Sequence, residues 1–229
     1  GHNELIWAGL GTFSHIDAYD LSEQRIRTAI EAALQNGYGN KINYVASDVF
    51  GIEMPESHYD VILVEQSLHH FSPLDQVLEK IRRFLKSDGY FIVNEFTGPT
   101  RFQWTDRQLE AANGLLSILP TKYRTLWESD AIKQKVTKPS RLRMLLSDPS
   151  EAVESERIMP LLHQMFEVVE VKGYGGSILH LLFNGIAHNF LSDDAETQNY
   201  LDIIFKVEDL LLSRGDIQSD FIVAVCRKR

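Results

Sequence analysis

The chain has 229 residues, 44% hydrophobic and 24% charged, which is room for one sizeable α/β domain or a domain with a lid. Its formal net charge of −9 argues against non-specific binding to nucleic acid, and no apolar run is long enough to span a bilayer. The single cysteine, Cys226, excludes an internal disulfide and fits a reducing, cytoplasmic setting; lying in an apolar run, it reads as buried and inert.

In chain order, Gly1 to Gly9 reads as a glycine leading into a helix, with Leu5 and Ile6 apolar. A glycine at such a junction ordinarily belongs to a loop that follows a strand, so a strand is expected upstream of Gly1 and absent from this chain. Gly9-Leu10-Gly11 precedes a strand rather than a helix and reads as a plain turn. His15 to Asp20 is a short strand ending on an acid. Ser22 is a good N-cap for the helix that carries Ile26, Ala29, Ile30, Ala33 and Leu34, and Gly37 stops it. Lys41 to Ala46 alternates as a strand and ends on Ser47-Asp48-Val49. Tyr59 to Val64 reads as a buried parallel strand whose exit is Glu65-Gln66-Ser67-Leu68-His69-His70. A helix follows Pro73, and Tyr90 to Phe96 is the next strand. Alternating strand and helix predict a parallel sheet with helices on both faces.

The pattern changes after residue 97. Thr97 to Trp104 is a turn-rich loop, and from Thr105 to about Pro160 the spacing predicts helices only, with Pro149-Ser150-Glu151 as a further helix start. An insertion this long reads as a lid or substrate-binding subdomain. Phe166 to Val171 resumes the sheet, helical stripes run over 178–186 and 197–212, and Phe221 to Cys226 is a last strand. The expected division is a core of residues 1–97, 161–177 and 219–229, with a helical region of 98–160 and 178–218.

Asp20 and Asp48 fall at the carboxyl ends of strands in consecutive β-α units, where open α/β sheets bind ligands. Asp20 can hold the two hydroxyls of a ribose, or it serves only as a turn or capping residue. Asp48, with the backbone at Val49, can accept from the exocyclic amine of adenine, and Gln66 lies where a cofactor tail would run.

This series resembles a class I (Rossmann-like) S-adenosylmethionine-dependent methyltransferase. Gly1 resembles the last glycine of that family's opening motif, Asp20-Leu21-Ser22 its ribose motif and Ser47-Asp48-Val49 its adenine-side motif. Tyr59 to Val64 with Leu68-His69-His70 is similar to its fourth strand and following loop. Leu85-Lys86-Ser87-Asp88-Gly89 is similar to its Leu-Lys-Pro-Gly-Gly approach to the fifth strand. The resemblance implies a mostly parallel sheet with an antiparallel last strand, a helical lid insertion, S-adenosylmethionine as cofactor and a central first strand that this chain lacks.

It also implies in-line attack by a small polar acceptor, through oxygen or nitrogen, on the sulfonium methyl. For an oxygen nucleophile a base helps, and His69 or His70 is placed to serve, unless packed structurally. Glu95 either orients substrate or pairs with a lid cation such as Arg101. Arg101, Gln103 and Trp104 suit a polar organic substrate, or form a hinge packed on the core. The cations Lys133, Lys135, Lys138, Arg141 and Arg143 read as a solvated face, with an anionic substrate as the alternative. No metal site is expected. Competing readings are a nicotinamide-dependent oxidoreductase, for which neither a G-x-G-x-x-G before a helix nor a Tyr-Lys pair is present, and a non-catalytic nucleotide-binding protein that keeps the fold.

Overall fold

Alternating apolar residues and a well-placed cap build the first β-α unit. After α1 (His2–Gly9), β1 (Ile16–Asp20) runs into Ser22, whose Oγ accepts from Arg25 N at 3.3 Å and starts α2 (Glu23–Gln35). Gly37, in the left-handed region at φ 78°, ends that helix. β2 (Ile42–Ala46) pairs parallel to β1 with Ala46 opposite Asp20, so both strands finish on one rim. Ala8, Ala18, Ala33 and Ile42 form a small core between them, with Leu5, Ile16, Tyr38 and Tyr44 packed on it. The computed structural model describes residues 2–140, 142, 144, 146 and 148–229, in two compact units, Gly1–Pro55 and Glu56–Arg229.

The second unit holds β3 (Tyr59–Glu65), α3 (Leu74–Phe84), β4 (Leu85–Phe96), β5 (Phe166–Gly175) and β6 (Phe221–Lys228). Its sheet has the order β3-β4-β6-β5. β3 and β4 are parallel, and β6 is antiparallel to both of its neighbours. The strands thus form sheets of two and four rather than one. β3, read as buried, lies at the edge of its sheet with Val61 to Val64 half-buried. β4 begins earlier than its apolar run: Leu85 pairs with Tyr59, and residues 86–89 bulge before Tyr90 pairs with Val61. A Cβ on Gly89 would stand 3.0 Å from the Asp60 carbonyl oxygen, so the bulge needs its glycine. Cys226 is fully buried, and burial pushes its thiol up to about 11.

The insertion departs from its helical periodicity. α4 (Asp106–Ile118) opens on a capping box of Thr105 and Gln108, and Leu119 leaves helical geometry before Pro120. Among the described residues, short 3₁₀ turns at Thr121–Tyr123 and Ser155–Arg157 and a bridge between Thr125 and Ile132 follow, and Pro149 and Ser150 lie in a turn, not a helix start. Regular helix returns in α5 (Ile158–Met165), α6 (Leu179–Phe183) and α7 (Ala195–Ser213). One shared core explains the false signal. Leu115, Leu116, Tyr123, Val136, Ile178, Leu182 and Ile204 all bury into it, so apolar spacing in the loops serves packing, not helix. Lys133 takes part: its Nζ donates to the carbonyls of Leu181, Leu182 and Asn184 at the end of α6, and burial lowers its pKa to about 8. No helix among the described residues is long and apolar enough to cross a membrane.

Two buried acids order the turn after β5. Glu208 on α7 accepts from the backbone N–H groups of Gly176, Ile178 and Leu179 at 3.0, 2.6 and 3.1 Å. Asp220, just before β6, accepts from Gln108 Nε2 at 2.9 Å, and burial, reinforced by Glu208, raises its pKa to about 7. Between the unfolded value of 3.8 and this one, the folded state holds a proton that the unfolded chain has released. Stability from Asp220 is therefore full at acid pH and lost as pH rises through about 7. Between pH 5 and pH 8, the wild type is expected to lose roughly 2–3 kcal/mol more than Asp220→Asn. Urea unfolding of both proteins at the two pH values measures the difference.

Candidate functional site

On the first rim, Asp20 ends β1 and Asp48 follows β2 by two residues. The two acids stand on the same carboxyl edge, and Ser47 N donates to the Asp20 carbonyl at 3.1 Å. Each spends one carboxylate oxygen on its own turn. Asp20 Oδ1 accepts from Ser22 N at 2.7 Å, and Asp48 Oδ1 accepts from Phe50 N at 2.9 Å. Asp20 Oδ2 has Arg25 at 3.8 Å, and Asp48 Oδ2 makes no hydrogen bond among the described residues. The capping role and a free acceptor thus coexist. Leu21 is exposed, Ser22 caps α2, and Val49 opens a 3₁₀ turn. Gly1 lies outside the described residues.

On the second unit, the carboxyl ends of β3 and β4 gather Gln66, His69, His70 and Glu95. Gln66 takes a left-handed φ of 46°, and its amide reaches the Asn94 carbonyl and the Tyr174 hydroxyl at 3.5 and 3.3 Å. Glu95 is fully buried. Its Oε2 accepts from Ser67 N and Leu68 N at 2.9 and 2.5 Å, and its Oε1 meets Phe96 N and His69 Nδ1. It therefore fixes the turn that carries both histidines. Burial opposes protonation of His69, but Glu95 outweighs it and the net pKa is raised. His69 Nε2 faces Glu151 Oε1 at 3.5 Å, and His70 Nε2 faces Glu151 Oε2 at 3.9 Å.

Arg101 does not reach Glu95. Its Nη1 donates to the carbonyls of Asp148 and Glu151 at 3.5 and 3.2 Å, and its backbone N–H to Ala152 O at 2.7 Å, so it fastens the turn that bears Glu151. Arg101 and Phe102 both have φ near 50°, a costly region for residues with a Cβ. Gln103 Nε2 donates to the carbonyls of Arg101 and Pro139 at 3.0 and 3.1 Å. Trp104 is buried and stacked on Phe102 at 5.5 Å. With Phe96, Phe102 and Phe221 it surrounds His180, with ring centroids at 5.5 to 6.3 Å, and of these Phe96, Phe221 and His180 carried no assignment from the sequence. Burial, with charge on His69, lowers the His180 pKa and keeps it neutral. Trp104 Nε1 and His180 Nδ1 are buried with no hydrogen-bond partner among the described residues.

Sequence order hid three of these residues. Glu151 and His180 lie far along the chain from His69, and Tyr174 falls beyond the strand that the sequence ends at Val171. Of the basic stretch, Lys133 caps α6, and Lys138 pairs with Asp106 at 3.0 Å beside a cleft that Lys135 also lines. Arg141 and Arg143 lie outside the described residues.

The methyltransferase-domain family matches residues 1–93. A ubiquinone/menaquinone biosynthesis C-methyltransferase (UbiE) from Hahella chejuensis is 26% identical over 81 residues, covering 35% of this chain and 32% of that protein. The chain thus spans about a third of the length of the curated relatives it matches. Among solved structures, an S-adenosylmethionine-dependent methyltransferase from Mesorhizobium loti aligns with a TM-score of 0.52 at 14% identity, over 97% of this chain and 84% of that one. A geranyl diphosphate C-methyltransferase from Streptomyces coelicolor, solved with Mg²⁺, geranyl diphosphate and S-adenosyl-L-homocysteine, gives 0.52 at 8% identity, over 94% and 64%.

Glu95 carries a testable consequence. Glu95→Ala leaves the Ser67 and Leu68 N–H groups without their acceptor and is expected to cost roughly 2–4 kcal/mol of stability. Glu95→Gln keeps one acceptor oxygen and loses less. Urea denaturation ranks the two; equal losses would show that the carboxylate does not organise the turn.

Proposed function

We propose that this chain, a class I S-adenosylmethionine-dependent methyltransferase in family and fold, moves the cofactor's methyl group to a small organic acceptor whose attacking atom must shed a proton. The observation that carries the reading is the parallel pairing of β1 with β2, which brings Asp20 and Asp48 to one rim in the family-matched segment. Asp20 Oδ2 is the acceptor for ribose hydroxyls, and Asp48 with the Val49 backbone receives the adenine amine. Leu21 and Ser22 shape the turn that follows Asp20. The residues suit the group chemically, since both carboxylates keep an oxygen unspent by their own turns.

S-adenosylmethionine supplies an electrophilic methyl on a sulfonium that departs as a neutral thioether, so positioning and exclusion of water can supply much of the rate. What the chain must add is a place for the acceptor and a route for its proton. Phe96, Phe102, Trp104 and Phe221 offer an apolar wall, and the orphaned Trp104 Nε1 and His180 Nδ1 offer orientation. The His69–His70 pair supplies the proton route, held in place by Glu95. Carbon is the acceptor atom in the printed names of the UbiE relatives and of the Streptomyces coelicolor enzyme. The family match covers the cofactor half, whereas the acceptor wall comes from residues 96–104, 180 and 221, so oxygen, nitrogen and activated carbon share one proton requirement here.

Isothermal titration with S-adenosylhomocysteine tests the assignment. The protein is expected to bind it and to give no heat with NAD. Asp20→Ala is expected to weaken binding by about 1–3 kcal/mol, the range for hydrogen bonds to a charged group. An unchanged affinity removes Asp20 from the ribose site.

A further inference from the structure

The turn after β3 and the turn at residues 148–153 place three ligand-bearing side chains around one small space. His69, His70 and Glu151 each direct one ligand atom there, and these atoms lie within 4.8 Å of one another. We propose that they form a site for one divalent, imidazole-preferring metal ion of the zinc class.

His69 turns its Nδ1 to Glu95, so Nε2 is the ring atom that faces the shared space, and a metal ion there would displace the proton that the neighbouring carboxylates favour. Ser150 Oγ donates its own proton to Asp148 Oδ1 at 2.7 Å, so it can only accept from His70 Nδ1, 3.3 Å away. His70 Nε2 is therefore the ring atom left to face the same space. Both Nε2 atoms face the two oxygens of a single carboxylate, at 3.5 and 3.9 Å. Two imidazole nitrogens and a carboxylate converging in this way form a donor set that a divalent cation can occupy. The gaps exceed a hydrogen bond and approach the spacing of about 3.4 Å between ligands that each stand about 2.1 Å from a tetrahedral metal.

The supporting shell has the form that metal sites require. One imidazole is backed by a buried carboxylate, itself held by three backbone N–H groups, and the other by a hydroxyl tied to a second acid. The third ligand is fastened too: Arg101 binds the Glu151 carbonyl, and Val153 N donates to the His69 carbonyl at 3.3 Å. His70 and Glu151 are partly exposed, so a small rotation closes the remaining distance and an ion can enter. Two imidazoles and one carboxylate favour zinc, cobalt or iron over magnesium or calcium. Three protein ligands leave a position open. With both Nε2 atoms on the ion the imidazoles could not also take the acceptor's proton, which would then leave through the open position; that use rests on the methyltransferase reading, and binding of the metal does not.

The test uses purified protein stripped with a chelator and titrated with ZnCl₂ against a chromogenic competitor, with no methyl donor present. One Zn²⁺ per chain is expected, together with a zinc-dependent rise in Tm. His70→Ala and Glu151→Gln are each expected to weaken zinc at least tenfold while leaving metal-free circular dichroism unchanged. Ser150→Ala, which removes only the supporting hydroxyl, should fall between wild type and these variants. Co²⁺ in place of zinc should give the visible absorption of a tetrahedral ion in wild type and not in His70→Ala or Glu151→Gln. Zinc affinity equal in wild type and both ligand variants would reveal scattered surface histidines and overturn the proposal, as would absence of binding at micromolar metal. Failure here leaves cofactor binding intact, and failure of S-adenosylhomocysteine to bind leaves the metal result intact.

Discussion

The buried carboxylate of Glu95 is the constraint on which the second unit's rim depends. A carboxyl group with no exposure to solvent is tolerable only when its oxygens are satisfied, and here three backbone N–H groups and one imidazole meet them. The consequence is geometric. The chain leaving β3 cannot drift, because Ser67 and Leu68 are pinned to β4, and His69 points where Glu95 holds it. The aromatic wall begins one residue later, at Phe96, whose ring contacts His69, Phe102, His180 and Phe221. One side chain thus ties strand end, histidine turn and apolar wall into a single rigid arrangement.

Much of this was legible in the residues. Strands with period two and helices with clear caps, such as Ser22 before α2, were read close to their observed bounds because local chemistry decides them. The acids at the ends of β1 and β2 followed from the same logic. The insertion was misread because its apolar spacing answers to a common core that draws on loops as readily as on helices. The burial of β3 was overestimated, since an apolar run does not reveal that its strand has a partner on one side only. The roles of Arg101 and Lys133 were hidden for a simpler reason: both spend their charge on backbone carbonyls, and no residue type marks a carbonyl as a partner.

The comparisons divide along the same line. The family match ends at residue 93, close to where β4 finishes and local rules stop being sufficient. The solved structures cover nearly the whole chain but at 8 to 14% identity, so they speak for the architecture. Beyond residue 93 the chain carries an enclosed histidine, His180, a left-handed pair at Arg101 and Phe102, and Glu151 brought from a distant turn.

That turn has a further consequence for how the chain is tied together. Ser72 Oγ donates to Glu154 Oε1 at 2.6 Å, beside the contacts of His69 with Glu151 and Val153, so two short segments are stitched side by side although these residues stand 82 positions apart in sequence. Closing a loop that long costs chain entropy that grows only slowly with its length. A coordinate bond at the stitch would therefore act as a reversible cross-link, restricting the unfolded ensemble as a disulfide does in a chain whose lone, enclosed thiol cannot make one.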